Sequence, residues 1–143
     1  MLANAFRYSE RRSMAGIRWY STELDLSTRE RGAIELPGAL AVVDQYVDDV
    51  KPRYTGGEQA LAETMFGFCR SDADFIEICV HASDQITLRA ELPPGKGLVA
   101  RLRGATRTER TLDSTDSLKR CVTAHFSMSG EKFGAYLAAG PLR

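Results

Sequence analysis

Apolar and polar positions change period along the chain, and those changes divide it into elements. Residues 85–92, Gln-Ile-Thr-Leu-Arg-Ala-Glu-Leu, alternate without a fault, the pattern of a strand with one face in a core and the other in water. Upstream, Asp74 to His81 is rich in β-branched and aromatic residues, and Thr64 to Arg70 repeats that character, with Ser71-Asp72-Ala73 supplying turn chemistry between them. The three segments predict an antiparallel meander. Its register is also readable. Setting Val80 opposite Ile86 puts Ile78 opposite Leu88 and Ile76 opposite Ala90 on one face, and Glu77 opposite Arg89 and Cys79 opposite Thr87 on the other. A slip of one residue would carry every apolar side chain to the wrong face.

On either side of the meander the period changes to that of a helix. From Gly38 to Val50 the residues Ala39, Leu40, Val42, Val43, Tyr46, Val47 and Val50 recur at three- and four-residue spacings, with Pro37 suited to a first helical turn. Toward the C-terminus Leu118, Cys121, Val122 and Phe126 line one side of a helix capped near Ser114, Thr115 and Asp116. A second helix begins near Ser129 and presents Phe133, Tyr136 and Leu137 before Gly140-Pro141. Residues 16–22, around Trp19, predict a first strand, and residues 23–35 a loop or short amphipathic turn. Gly97 to Arg103 alternates with Leu98, Ala100 and Leu102 on one side, which predicts a fourth meander strand running on through Thr106 to Leu112. The expected class is α+β: an antiparallel meander of four to five strands with helices packed on one face. Residues 1–143 are expected to form a single domain, with residues 1–14 poorly ordered.

Composition narrows the function classes. Lys and Arg number 19 and Asp and Glu 19, so the formal charge is zero, and the excess of cations that nucleic-acid binding draws on is missing. No stretch reaches the roughly 20 apolar residues that span a bilayer, and the N-terminus lacks the apolar core of a signal peptide, so neither membrane nor nucleic acid is an expected partner. Three cysteines, Cys69, Cys79 and Cys121, lack the spacing of a disulfide framework and suit a reducing cytoplasm.

Catalytic and metal chemistry are thinly supplied. Two histidines, His81 and His125, stand in no nucleophile frame, and neither Gly56-Gly57 nor Gly95-Lys96-Gly97 has the spacing of a phosphate-binding loop. Cys79 with His81 on a strand and Cys121 with His125 one helical turn apart form the sharpest metal hypothesis. Cys121 falls in the apolar stripe of its helix, however, so a core cysteine is the expected reading, with no metal and no cofactor. The outer sheet face would hold Phe75, Glu77, Cys79, Thr87, Arg89 and Glu91. A phenylalanine there calls either for internal cover or for a docking partner. Carboxylates available for contact are Asp44 and Asp48, one turn apart on the first helix, Asp72, Asp74 and Asp84 around the hairpin, and Glu77.

The run Phe66-Gly67-Phe68-Cys69-Arg70-Ser71-Asp72-Ala73-Asp74-Phe75-Ile76-Glu77-Ile78, with Ala124 to Leu137, resembles the small α+β immunity proteins encoded beside bacterial polymorphic toxins. The resemblance covers about half the chain. It implies a cytoplasmic, non-enzymatic inhibitor that binds a cognate toxin domain and blocks its active site, often through carboxylates that imitate substrate charge. On that expectation Asp44, Asp48, Asp72, Asp74, Asp84 and Glu77 form the partner-facing set. The alternatives are a secretion chaperone or adaptor that holds an effector segment in an apolar groove, and a small metabolite-binding enzyme.

Overall fold

The computed structural model describes residues 16–22, 27–53, 63–81, 85–95 and 97–139. The elements run β1 (Ile17–Thr22), β2 (Thr28–Ile34), α1 (Leu36–Arg53), β3 (Glu63–Ser71), β4 (Asp74–His81), β5 (Ile86–Leu92), α2 (Leu98–Arg103), β6 (Thr106–Leu112), α3 (Thr115–Ser127) and α4 (Gly130–Ala138). The class is α+β. Six antiparallel strands lie in the order β2-β1-β3-β4-β5-β6, so β3 to β6 form a meander and β1 joins it through β3 after the chain has crossed by α1. The residues before Gly16, including 1–14, lie outside the described residues.

The central register is the one that the alternation dictates: Val80 faces Ile86, Ile78 faces Leu88, Ile76 faces Ala90, and Glu77 faces Arg89. Ile76, Ile78 and Val80, Ile86 and Leu88, and Phe66 and Phe68 of β3 share the face on which the helices pack. They meet Ala39, Val42, Val43 and Tyr46 of α1, Leu118, Cys121 and Val122 of α3, and Phe133 and Leu137 of α4 in one buried cluster. Ser114 caps α3 by accepting from the Ser117 amide at 3.1 Å, and Ser129 caps α4 through the Lys132 amide at 3.4 Å.

Two segments depart from the sequence reading. Thr28 to Ile34 is a strand, not a loop: its charges sit on an edge open to water, where a strand needs no apolar alternation and is held by backbone pairing to β1. Leu98 to Arg103 is a short helix, not an inward-facing strand, and Leu98 and Leu102 point to solvent at 76% and 79% exposure. Glycines with positive φ, Gly97 at 129° and Gly104 at 76°, bound it and turn the chain out of β5 and back into β6. The meander strand expected there begins only at Thr106.

Candidate functional site

On the sheet face opposite the helices, the antiparallel registers line up Tyr20, Gly67, Glu77, Arg89 and Glu109 across five successive strands. Gly67 is required in this row because the Tyr20 side chain lies flat over it, and a Cβ at that position would overlap the ring and its hydroxyl. Passing over the glycine, the Tyr20 hydroxyl donates to Glu77 Oε2 at 2.9 Å. Burial, reinforced by the neighbouring Glu77 charge, pushes the Tyr20 hydroxyl well above its ordinary pKa, so it stays protonated and remains a donor. Arg89 stands 3.7 Å from Glu77 Oε1 on the other side and donates to Glu109 at 2.9 Å. Glu77, at 2% exposure, is therefore a buried carboxylate held by a phenol and a guanidinium.

A second polar cluster ties the helix layer to the sheet. His125, fully buried on α3, meets Asp74 Oδ1 through Nε2 at 3.2 Å. Arg70 at the end of β3 approaches Asp74 Oδ2 at 3.4 Å and donates to the His125 carbonyl. Among the described residues Nδ1 of His125 has no hydrogen-bond partner, which fixes the tautomer physically: an N–H placed there would be a buried donor without an acceptor, so the proton sits on Nε2 and is donated to Asp74. Burial, with the Arg70 charge beside it, lowers the His125 pKa despite the opposing pull of Asp74. Burial alone would raise Asp74, but its hydrogen bond and charge contacts with His125 and Arg70 carry it below the ordinary carboxylate range. His125 packs edge-on against Phe133 with centroids 5.1 Å apart, and it meets no hydroxyl or thiol as a hydrogen-bond partner among the described residues.

The six carboxylates read from the sequence therefore separate. Asp74 and Glu77 are buried and committed to internal bonds, which corrects the expectation that both are available for contact. Asp44 is exposed on α1 and pairs with Lys119 of α3 at 2.6 Å, and Asp48 is exposed one turn further on. Asp72 is half-buried in the β3–β4 turn, and Asp84 lies outside the described residues.

The proposed metal quartet divides as well. Cys79 and His81 lie on the sheet face opposite the helices, where His81 contacts Thr87 at 3.3 Å, while Cys121 and His125 lie within the helix-side core. The sheet stands between the two pairs. Burial pushes the Cys121 thiol up to about 11, away from the thiolate that a metal would need. No group of three or more metal-ligating side chains converges among the described residues.

The exposed large apolar side chains gather on α2. Leu98, Val99 at 63% exposure, and Leu102 are the exposed large apolar side chains among the described residues, and Arg101 beside them is exposed too. Exposed apolar side chains gathered in this way, on a connection between strands, are of the kind that marks interaction surfaces in soluble proteins. Sequence reasoning missed it because spacing of two, read as a strand, and spacing of four, read as one side of a helix, both occur in Leu98, Ala100 and Leu102. The glycines on either side were the available signal. No helix among the described residues is long and apolar enough to cross a membrane. No family model, curated protein or solved structure matches the chain.

Proposed function

We propose that the protein acts by contact, as a non-enzymatic inhibitor of the immunity type that binds a toxin domain and engages it through α2. The observation that carries this reading is the gathering of Leu98, Val99 and Leu102, each more than half exposed, on one six-residue helix. The groups that acid–base chemistry would recruit are consumed elsewhere: His125 and Asp74 in a buried pair, Glu77 beneath Tyr20. Apolar anchors flanked by Arg101 fit a partner pocket with an apolar floor and an acidic rim, and a few such anchors supply most of the binding energy in protein interfaces. This moves the expected contact from the scattered carboxylates to an apolar and basic tip. The resemblance to immunity proteins supports a toxin domain as the kind of partner, and the exposed side chains of α2 support it as the place of contact.

The test is binding to the product of the neighbouring reading frame, with protection of cells that express it. Replacing both Leu98→Asp and Leu102→Asp is expected to weaken binding by about a hundredfold or more and to remove protection, with the melting temperature unchanged. Reversing Asp48→Lys and Asp72→Lys is expected to alter mainly the association rate. The opposite pattern, in which the aspartates abolish binding and the leucines do not, would return the contact to the carboxylates. Absence of binding by the wild type to that product would remove the immunity reading.

A further inference from the structure

The two edges of this open sheet are built differently. β2 carries a register shift opposite Trp19 and Tyr20, a bulge of the kind that turns an edge away from further pairing, and its Arg31 is held over the Trp19 ring at 5.6 Å. β6 pairs with β5 without a shift from Thr106 to Leu112, contains neither proline nor glycine, and has no further described strand on its other side. A regular edge strand of seven residues, with no further described strand beside it, is a template for another strand.

Its charges say which strand. On the face opposite the helices, Glu109 receives Arg89, itself beside Glu77, while Arg107 stands 3.7 Å from Glu91. One row thus reads Glu77, Arg89, Glu109 and ends on an acid at the edge. The next reads Glu91, Arg107 and ends on a base. Arg107 and Glu109 are largely exposed, with 83% and 60% of their side chains accessible.

We propose that β6 pairs antiparallel with β6 of a second copy of this chain, about a two-fold axis at Thr108, joining the two sheets edge to edge. An axis normal to the sheet keeps each face continuous, so a residue meets only residues of its own face in the second copy. With the axis at Thr108, Arg107 of each copy meets Glu109 of the other. Both rows then continue through the junction with alternating sign, Glu77, Arg89, Glu109, and then Arg107 and Glu91 of the second copy. On the helix side Thr108 meets Thr108, a favourable small polar pair. Moving the axis to Glu109 would oppose two glutamates, and moving it to Arg107 two arginines, so charge selects one register of the three. The residues that meet at the junction, Arg107, Thr108 and Glu109, lie on β6 and not on α2.

Sedimentation equilibrium on the full chain tests this over concentrations up to about 100 μM, the range suited to a modest edge-to-edge contact. The wild type is expected to dimerise. Arg107→Glu alone places acid against acid at both junction pairs, and Glu109→Arg alone places base against base, so each variant is expected to raise the dimer Kd at least tenfold. An equimolar mixture of the two variants restores both opposite-charge pairs and is expected to recover the dimer as a heterodimer. Damage to the fold could not be rescued by mixing, and a melting curve on each variant checks the fold separately. A wild type that is monomeric throughout, variants that dimerise like the wild type, or a mixture that stays monomeric would each overturn the proposal.

Discussion

Tyr20 and Gly67 form a pair in which one residue is small so that the other can cross it. Gly67→Ala is expected to displace the Tyr20 ring, because the new Cβ falls within it, and to cost roughly 1–3 kcal/mol as an overpacked site. Tyr20→Phe keeps the packing and removes only the hydroxyl, leaving the buried Glu77 carboxylate one donor short at a cost of about 1–3 kcal/mol. If both losses come from the same contact, the double variant should cost less than the sum of the two, which chemical denaturation of the three proteins would read directly. Equal additivity would mean that the glycine serves the backbone and not the phenol. A carboxylate that sequence pattern assigns to the wet face thus lies beneath a tyrosine. The residue strings around Tyr20 and Glu77 do not reveal this, since the two are 57 positions apart and meet only through the β1–β3 and β3–β4 registers.

At the scale of elements, legibility followed burial. Strands β4 and β5 were readable to the residue because Ile76, Ile78, Val80, Ile86, Leu88 and Ala90 all answer to one core, and a single slip would expose them all. Helices α1, α3 and α4 were readable for the same reason, through stripes that include Val43, Cys121 and Leu137. β2 was not readable, because an edge strand of Thr, Arg and Glu owes its form to its neighbour β1 and not to its own pattern. α2 was misread because nothing packs on it to choose between periods. That contrast has a measurable form: Ile78→Ala is expected to cost roughly 2–5 kcal/mol, whereas Leu102→Ala, equally apolar on paper, should change stability by no more than about 0.5 kcal/mol. Similar costs at the two positions would contradict the exposed placement of α2. For the candidate site, the carboxylates were visible as residue types, but which of them face water is decided by tertiary partners such as Lys119, His125 and Tyr20.

The whole molecule registers protons through the buried bond between α3 and β4. His125 has a folded pKa below its ordinary 6.5, so between those two values the unfolded chain takes up a proton that the native one refuses. Its contribution to stability is complete above about pH 6.5 and declines as pH falls below that. Asp74 is lowered from 3.8, so its own contribution persists through this window and is lost only in stronger acid. Denaturant midpoints measured from neutral pH toward about pH 5 should therefore fall for the wild type and fall less for His125→Gln, which keeps a donor for Asp74 but does not titrate. An unchanged slope in the variant would assign the acid sensitivity to another group. Beside the β2 edge of the sheet stands Trp19, the single tryptophan, edge-on to Tyr46 of α1 with centroids 6.2 Å apart and covered by Arg31 of β2. The chain thus carries one indole fluorophore, placed where its first strand, its edge strand and its longest helix meet. Emission from that indole is a local gauge of whether this corner is closed, and circular dichroism sums over every strand and helix. Where the two unfolding curves coincide, the edge and the centre come apart together; a red shift that runs ahead of the ellipticity loss would record the sheet opening from its β2 side.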